Sequence, residues 1–361
     1  MIGKLSNKTV LAGLGRKELR VLAVSYGESP WRGDQIYEAL MHGASEIKSM
    51  NGLPAVFRQK LDADCETGVP KIKKALRSKL DETVKYLFEY PDGATVEAAL
   101  MSYKYGRTLC VSTQVGCNMG CAFCASAIGG KLRDLNAGEI LGQVYAAGRD
   151  CGGRIGGVVM MGMGEPLDNY ENSVRFIGLV TSPEGLNISA RRISLSTCGI
   201  CDKITRLSQE KYDITLSVSL HASDDETRSR LMPINRACGV DKLMRVCREY
   251  FDVTGRRISF EYTLVPGVND SEDDALRLAR MLKRYFEGAP FHVNLIPVNA
   301  VEGKIGGAGR GEAQRFRRTL DRMGINATVR RTLGADINAS CGQLRRSEEH
   351  NIKNEDAGGE R

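Results

Sequence analysis

Apolar residues recur at helical spacing in the N-terminal part of the chain. The clearest runs are residues 31–41 and 53–61, where an apolar side chain returns every three or four positions. After residue 80 the period shortens to two, and the turn Pro91-Asp92-Gly93 divides this alternating stretch into two halves. The pattern predicts a helical accessory domain over residues 1–75, followed by a β-hairpin extension over residues 76–102.

From residue 103 onward, short apolar runs alternate with helical patterns. Six runs have the length and composition of buried strands: residues 108–113, 157–161, 192–197, 214–220, 258–265 and 292–298. One of the helices between them begins with Asn136 as a cap and Glu139 three residues later. Repeated strand–helix units predict an α/β fold with parallel strands. Six units favour an open, partial (β/α)6 barrel over residues 103–344, followed by a polar, disordered tail at residues 345–361.

The residues best suited to chemistry follow these predicted strands. In a βα barrel, binding and catalytic groups gather at the carboxyl ends of the strands. Three cysteines follow the first predicted strand, and Gly162-Met163-Gly164-Glu165-Pro166 follows the second. Ser196, Ser219-Leu220-His221 and Asn299 follow the third, fourth and sixth. We therefore expect these residues to surround one common site.

Composition limits the classes of protein to consider. The chain has 361 residues, of which 42% are hydrophobic and 26% are charged, as in ordinary globular proteins. No stretch approaches the roughly 20 apolar residues that cross a bilayer, and residues 1–20 contain no apolar core of a signal peptide. The 11 cysteines are spaced too irregularly for a secreted disulfide framework. We expect a cytoplasmic protein with reduced thiols and no membrane partner.

The net charge of +7 indicates a modest preference for polyanions. Basic residues cluster at residues 71–79, 191–192, 330–331 and 345–346. A single cluster of this kind is as often a solvated surface as a binding site. Several together favour RNA or DNA as a partner, with the N-terminal helical module as a candidate contact.

Three cysteines in one loop give the most specific signal in the chain. Cys117, Cys121 and Cys124 have the spacing Cys-x3-Cys-x2-Cys, with Phe123 before the last of them. Three thiolates can hold a 4Fe–4S cluster and leave one iron without a protein ligand, so that this iron can bind a cofactor. The spacing is typical of radical S-adenosylmethionine (SAM) enzymes, in which SAM chelates the open iron. A structural zinc site is the alternative, but it ordinarily needs four ligands in paired short spacings.

The segments after the later strands offer partners for SAM. Glycines such as Gly164 let the backbone approach a ligand closely, and the Glu165 carboxylate can accept hydrogen bonds from an ammonium group. Five further positions complete the candidate SAM site: Ser196, Ser219, Leu220, His221 and Asn299. Their hydroxyl, imidazole and amide groups suit a ribose, a carboxylate and an adenine. Each alone could instead satisfy backbone groups at a strand end, but their shared position favours a binding site.

Two cysteines outside the loop differ from the others. Cys110 lies on the first predicted strand, and Cys341 lies in a short polar, glycine-containing loop where a thiolate is reachable. The ordinary interpretation of a lone cysteine is a small buried hydrophobic residue. That interpretation suits Cys65, Cys151, Cys198, Cys201, Cys238 and Cys247.

These motifs together resemble one known family. The segments that carry the resemblance are residues 111–124, 161–166, 219–222, 294–299 and 339–344. They are similar to the RlmN family, in the RlmN/Cfr group of radical SAM enzymes, whose members methylate adenine C2 in 23S rRNA and tRNA. The resemblance implies a 4Fe–4S cluster and SAM as cofactors. It also implies 23S rRNA, tRNA and an external one-electron donor such as flavodoxin as partners.

The resemblance further implies a mechanism that consumes two SAM molecules. The first methylates Cys341, and the second is cleaved at the cluster to a radical that removes a hydrogen atom from this methyl group. The carbon radical then adds to C2 of an adenine, a carbon too electron-poor to attack SAM directly. Cys110 resolves the resulting crosslink by forming a transient disulfide with Cys341. Glu97 matches the proton acceptor of the family, and the alternative interpretation of Glu97 is a solvent-facing strand carboxylate.

Three other functions stay open. A Cfr-type enzyme methylates C8 of the same rRNA adenine and confers antibiotic resistance, although Pro166 after Glu165 favours the C2 branch. A non-enzymatic RNA-binding protein with a metal centre would have no use for Cys341 or Cys110. A radical SAM enzyme with a small-molecule substrate would not need the Cys341 loop or the basic clusters. For all of these we expect a monomer.

Overall fold

A computed structural model of the protein describes residues 8–297 and 310–337. Two candidate site residues, Asn299 and Cys341, lie outside these ranges. Within them, a ten-stranded sheet organises the molecule, accompanied by two small two-stranded sheets. No helix in this part of the chain is both long enough and apolar enough to span a bilayer.

The N-terminal module is mainly helical, as its hydrophobic period predicts. Its elements are β1 (Thr9–Val10), α1 (Arg16–Ser25), α2 (Trp31–Met41), α3 (Ala55–Asp64) and β2 (Cys65–Glu66). Each helix buries one apolar face, which includes Leu19 on α1, Ile36 on α2 and Phe57 on α3. The two short strands pair with each other in parallel.

Three antiparallel strands precede the barrel: β3 (Lys71–Arg77), β4 (Val84–Glu89) and β5 (Thr95–Tyr103). β4 and β5 form the predicted hairpin. The expectation that residues 71–75 continue the helical module is wrong, because β3 is an edge strand of the large sheet. Lysines on an exposed edge discourage pairing with another chain, and β3 carries Lys71, Lys73 and Lys74. The domain boundaries themselves stay a prediction.

Strands and helices alternate through the rest of the chain. In order, the elements are β6 (Gly106–Cys110), β7 (Gln114–Gly116), β8 (Lys131–Asp134), α4 (Ala137–Asp150), β9 (Ile155–Met160), α5 (Tyr170–Thr181), β10 (Ile193–Thr197), α6 (Cys201–Leu207), β11 (Thr215–Ser219), α7 (Asp225–Leu231), α8 (Val240–Thr254), β12 (Ile258–Leu264), α9 (Glu272–Tyr285), β13 (Phe291–Pro297), α10 (Arg310–Arg322) and β14 (Ala327–Val329). All six predicted strands are present. α4 begins with the predicted capping box, in which the Glu139 N–H donates to Asn136 Oδ1 at 2.9 Å.

The strands of the large sheet follow one another in sequential order. The order is β14-β13-β12-β11-β10-β9-β6-β5-β4-β3, and all neighbours from β6 to β14 are parallel. This arrangement confirms the α/β class and the partial barrel with its hairpin extension. β14 adds a seventh parallel strand, which is too short at three residues to produce a pattern in the sequence.

One face of the large sheet carries a row of polar residues. Paired residues of adjacent strands point to the same side, and the register aligns Ser219 with Glu261 and Asn294. The Glu261 carboxylate accepts a hydrogen bond from the Asn294 amide at 2.7 Å. On the same face, the hydroxyls of Ser194 and Ser217 lie 2.9 Å apart. We call the face that carries these five residues the polar face.

Residues 331–337 link the two edges of the sheet. The Asp336 carboxylate accepts hydrogen bonds from the Ser78 hydroxyl at 2.7 Å and from the Lys79 N–H at 2.8 Å. The Gly334 N–H donates to the Asp81 carboxylate at 2.8 Å. The segment after β14 is thereby joined to the turn between β3 and β4.

Two cysteines that were expected to be separate reduced thiols are joined. Cys201 at the start of α6 and Cys238 before α8 form a disulfide, with their Cα atoms 6.4 Å apart. Both are buried, as expected, but the expectation of reduced thiols at these two positions is wrong. The contact between α6 and α8 brings them together, and their separation in the sequence gives no sign of it.

Candidate active site

A cavity of about 280 Å³ is lined by residues that follow the parallel strands. Eight of the predicted site residues lie in its wall: Cys117, Cys121, Cys124, Gly164, Glu165, Ser196, Ser219 and His221. Leu220 is fully buried and is not part of this wall. Asn299 lies outside the described residues. The structure therefore brings most of the predicted positions together, while their individual roles stay predictions.

Backbone contacts hold the cysteine loop in place. Gly116 has a φ of +81°, and a Cβ at this position would lie 2.0 Å from the Gly130 carbonyl oxygen, so only glycine fits. The Cys117 N–H donates to that same carbonyl at 3.2 Å. Further along the loop, the Ala122 N–H donates to the Leu231 carbonyl at 2.9 Å. The loop is thus held at its start by Gly130, just before β8, and further along by the end of α7.

The thiols of this loop suit metal binding. Burial raises the pKa of the Cys117 thiol to about 11 and that of the Cys121 thiol to about 12, so metal binding must release their protons. Met232 and Val265 belong to an apolar cluster that packs against Cys121 and Phe123. Among residues 8–297 and 310–337, no three Cys, His, Asp or Glu side chains are grouped to hold a single ion. Three thiols that face one cavity fit a 4Fe–4S cluster, in which each thiolate binds its own iron.

The segment after β9 reaches the cavity through its backbone. Gly164 has a φ of +99°, and a Cβ there would lie 2.6 Å from Gln114 Cβ. The Glu165 carboxylate accepts hydrogen bonds from the Cys198 N–H at 2.8 Å and the Leu167 N–H at 3.0 Å. Burial raises the pKa of Glu165, and these two hydrogen bonds oppose part of that rise. The carboxylate is therefore positioned by backbone groups of two strand-end loops.

His221 lies in the cavity wall with one ring nitrogen engaged. Its Nδ1 accepts a hydrogen bond from the Thr263 N–H at 2.9 Å, so the proton of the neutral ring is on Nε2. The ring packs edge-on against Phe123, with 4.7 Å between the ring centroids. Burial and the charge of Arg228 lower the pKa of His221 from 6.5 to about 3. The neutral ring can therefore offer Nε2–H to a ligand in the cavity.

This depressed pKa predicts how stability depends on pH. Between about pH 6.5 and pH 3 the unfolded chain protonates His221 while the folded chain does not, so stability falls as pH falls. We expect this histidine to contribute a loss of about 1.4 kcal/mol per pH unit in that window. His221→Asn keeps an acceptor near the Nδ1 position, tolerates the φ of +58° and does not titrate.

Urea unfolding of the apoprotein at several pH values tests this expectation. Between about pH 3 and pH 6.5, the slope of unfolding free energy against pH should be smaller in His221→Asn than in the wild type. The expected difference is about 1.4 kcal/mol per pH unit, which corresponds to one proton. His42 is exposed, and His42→Asn serves as the control substitution at a histidine outside the cavity. Equal slopes for the wild type and His221→Asn would show that the histidine does not titrate differently on folding.

A buried arginine that the sequence did not reveal joins the loops around the cavity. Arg228 on α7 is fully buried. Its guanidinium donates to the carbonyls of Cys198, Ser219 and Leu220 at 2.7, 3.0 and 3.0 Å. It also donates to Asn235 Oδ1 at 2.9 Å. The ends of β10 and β11 are thereby tied to α7, although in the sequence this arginine lies in a charged run that resembles a solvated helix.

The cavity wall also contains Cys198, Glu261 and Arg330, which were not predicted from the sequence as site residues. Burial raises the pKa of the Glu261 carboxyl, which lies in the middle of an otherwise uncharged strand. A carboxylate in such a strand is a signal that could have identified it. Cys198 is buried, as expected, but its interpretation as packing alone is incomplete because it also lines the cavity.

Cys110 and Glu97 lie near each other on the polar face. The register pairs Ala99 with Cys110, and Glu97 lies two residues before Ala99 on β5, pointing to the same side. Glu97 is buried, and its carboxylate forms an ion pair with the Lys85 Nζ on β4 at 3.0 Å. The interpretation of Glu97 as a solvent-facing carboxylate is therefore wrong. Neither Cys110 nor Glu97 is among the described residues that form the cavity wall.

Comparison with known proteins gives consistent matches along the chain. The Radical SAM superfamily matches residues 111–279. A radical SAM methyltransferase from Sphaerobacter thermophilus has a crystal structure that matches with a TM-score of 0.87 at 40% identity, covering 93% of this chain and 98% of that one. A probable dual-specificity RNA methyltransferase RlmN from Clostridium acetobutylicum is 47% identical over 331 residues, covering 91% of this chain and 95% of the relative.

The chain belongs to the RlmN family of radical SAM enzymes. A second RlmN relative, from Pelotomaculum thermopropionicum, is 48% identical over 338 residues, covering 93% of this chain and 90% of the relative. Membership of the RlmN family makes the chain a SAM-dependent methyltransferase, with a 4Fe–4S cluster and SAM as its cofactors. The family, the fold class and the cofactors predicted from the sequence are thereby confirmed.

Proposed function

We propose that this chain methylates C2 of an adenosine in 23S rRNA and in tRNA, by way of a methyl group carried by Cys341. The observation that carries the proposal is the set of three thiols, Gly164, Glu165 and His221 around one cavity, in a chain of the RlmN family. The relatives reported above are named as probable dual-specificity RNA methyltransferases. A cytoplasmic location, a monomeric state and a flavodoxin-type electron donor belong to the same proposal.

The chemistry of adenine explains why such an enzyme needs radical cofactors. C2 is an electron-poor sp² carbon and does not attack the methyl group of SAM. When bound, the cluster and SAM supply a carbon-centred radical that removes a hydrogen atom from an unactivated methyl group. The protein contributes a methyl carrier, a dry cavity and a position for the base. An adenosine reaches such a cavity only when it is unstacked, so an RNA loop or a flipped base is the expected substrate.

The residues of the cavity wall divide between the two cofactors. In the proposal, Cys117, Cys121 and Cys124 hold the cluster. Gly164 and Glu165 bind the amino group of SAM, and the remaining polar positions bind its ribose, carboxylate and adenine: Ser196, Ser219, Leu220, His221 and Asn299. Leu220 is buried, its N–H donates to the Glu261 carbonyl and its carbonyl accepts from Arg228, so it contributes by holding the neighbouring Ser219 and His221 in place. His221 offers Nε2–H because its Nδ1 already accepts from the backbone.

The polar face provides groups for the last steps of the reaction. In the proposal, Glu97 accepts the proton that leaves C2, and one electron would return to the cofactor centre. The Cys110 thiolate then attacks the Cys341 sulfur, so that the disulfide forms while the bond between this sulfur and the carbon on C2 breaks, and that carbon takes the electron pair and a proton to become the methyl group. The external electron donor afterwards reduces the disulfide. Lys85 supports the role of Glu97, because its ammonium group pairs with the buried Glu97 carboxylate and fixes its orientation. Cys110 is a neighbour of Glu97 on the same side of the sheet, so both face the same crosslinked intermediate without rearrangement of the strands.

Replacing Cys341 with alanine is expected to abolish methylation completely, because the variant has no carrier for the methyl group. The measurement is nucleoside mass spectrometry of 23S rRNA and tRNA after anaerobic reaction with reconstituted protein, SAM and a reductant. Standards of 2-methyladenosine and 8-methyladenosine identify the product. Cys151 is a half-buried cysteine at the C-terminal end of α4 and is not part of the cavity wall. Cys151→Ala is therefore the matched control and should keep full activity.

The possible outcomes separate the competing functions. Formation of 2-methyladenosine by the wild type and not by Cys341→Ala supports the proposal, and its distribution between the two RNAs gives the substrate preference. Only 8-methyladenosine would place the protein with the Cfr-type enzymes. Full activity of Cys341→Ala would contradict the proposed carrier. SAM cleavage without a methylated nucleoside would indicate a substrate other than these RNAs.

A further inference from the structure

A stacked pair of tyrosines lies at the turn between β5 and β6. The rings of Tyr103 and Tyr105 are 5.0 Å apart at their centroids and parallel within 4°. Tyr105 is 68% exposed. A single exposed aromatic residue is common on protein surfaces, but Tyr105 also stacks on Tyr103, which holds the Tyr105 ring in a fixed orientation. The turn therefore presents a flat aromatic platform to solvent.

Basic side chains surround this platform. The Arg192 Nη1 donates to the Tyr105 carbonyl oxygen at 3.5 Å. Burial raises the pKa of Tyr103, and the charges of Arg330 and Arg331 oppose part of that rise. We call the following residues the tyrosine patch: Tyr103, Lys104, Tyr105, Arg192, Arg330 and Arg331. All of them except Tyr103 are exposed.

The tyrosine patch lies at the amino end of β6, and Arg330 and the length of β5 connect it to the candidate active site. Arg330 belongs both to the patch and to the wall of the cavity. Tyr103 lies on the same side of β5 as Glu97, because residues at even spacing along a strand share one face. Its hydroxyl donates to Met101 Sδ at 3.4 Å, on that same side. A strip of one strand therefore leads from the Glu97–Lys85 pair to the exposed platform.

We propose that the tyrosine patch binds an unpaired nucleobase of the RNA substrate, several nucleotides away from the adenosine that enters the cavity, because Tyr103 lies six residues, or about 20 Å, along β5 from Glu97. The base stacks on the outer face of Tyr105, and the phosphates on either side of it lie against Arg192, Arg330 and Arg331. Every base has a π-face, so aromatic platforms flanked by arginines bind single-stranded RNA with little dependence on sequence. This inference rests on the proposed function only in that the substrate is RNA.

The test compares Tyr105→Ala and Tyr105→Phe in the full-length, reconstituted protein. One probe is a fluorescein-labelled, unmodified tRNA anticodon stem–loop, and the other is a fully paired RNA duplex of the same length. Binding is measured by fluorescence anisotropy, and methylation of the stem–loop is measured in parallel at several RNA concentrations. Val253→Ala, which removes an exposed apolar side chain from α8, is the control variant.

Loss of one stacked base predicts that Tyr105→Ala weakens stem–loop binding about tenfold. The effect should fall on KM rather than on kcat, should be much smaller for the duplex, and should be absent in Tyr105→Phe, which keeps the ring. Stem–loop binding by Tyr105→Ala within twofold of the wild type would overturn the inference, as would an equal loss on both probes. If the wild type makes no methyladenosine yet binds the stem–loop tenfold more tightly than Tyr105→Ala, the proposed function fails and the tyrosine patch stands.

Discussion

Replacement of Arg228 with methionine is expected to destabilise the protein by about 3–5 kcal/mol, because several buried acceptors each lose a hydrogen bond worth about 1–3 kcal/mol, and to abolish SAM binding. The guanidinium is buried and donates to four acceptors, three of which are carbonyl oxygens at the ends of β10 and β11. Methionine has similar length but no donor, so these acceptors lose their partner at a position that is fully buried. The loops that carry Ser219 and His221 would then lose their attachment to α7.

Two measurements test this expectation. Urea unfolding of the apoprotein gives the change in free energy, and equilibrium dialysis with labelled SAM gives the change in binding. Arg230→Met removes an exposed arginine from the same helix and should change stability by no more than about 0.5 kcal/mol. If Arg228→Met unfolds within 1 kcal/mol of the wild type, roughly the spread of ordinary surface substitutions, the arginine does not hold these loops together.

For the Lys85–Glu97 pair, we expect stability and methylation to respond differently when one partner is replaced and when both are replaced together. Lys85→Met alone leaves a buried carboxylate without its cation and should cost about 3–5 kcal/mol. The double variant Lys85→Met/Glu97→Leu removes both charges and should recover most of that loss, since apolar replacements of buried ion pairs are often neutral. If Glu97 accepts the proton from C2, the double variant regains stability without regaining methylation.

A second ion pair of the same sheet supplies the control. Lys73 and Glu89 pair at 2.6 Å between β3 and β4, but both side chains are about one-third exposed. Lys73→Met should therefore cost no more than about 1 kcal/mol. Urea unfolding and the nucleoside assay are applied to the wild type, Lys85→Met, Lys85→Met/Glu97→Leu and Lys73→Met. Restored methylation in Lys85→Met/Glu97→Leu would show that the pair is structural only and that another group accepts the proton.

Features with a local cause were predictable from the sequence. The spacing of Cys117, Cys121 and Cys124 is set by the cluster that three thiolates can hold, and Asn136 with Glu139 forms a capping box within four residues. The strands of the barrel were predictable because a strand buried on both faces appears in the sequence as a continuous apolar run. The position of Gly164, Glu165, Ser196, Ser219 and His221 around one cavity followed from the rule that parallel strands end at the same edge.

Features with a tertiary cause were not predictable. Arg228 becomes buried only because the ends of two strands lie against α7, and its neighbours in the sequence are charged and solvent-facing. The Cys201–Cys238 disulfide depends on how α6 meets α8. β3 does not alternate regularly between apolar and polar residues because its register shifts between Ile72 and Lys74, so its lysines read as a basic cluster. Burial of Glu97 depends on Lys85, a partner on another strand.

The ribosome makes the β3–β4 turn early and residues 331–337 near the end, yet these two segments are bonded to each other. The bonded residues are separated in the sequence by 258, 257 and 253 positions. This side of the sheet can therefore be joined only after every strand has left the exit tunnel. Cys341 is synthesised later still, five residues beyond Asp336. A nascent chain could acquire its iron–sulfur centre during translation, but it would lack the proposed methyl carrier until residue 341 has been added.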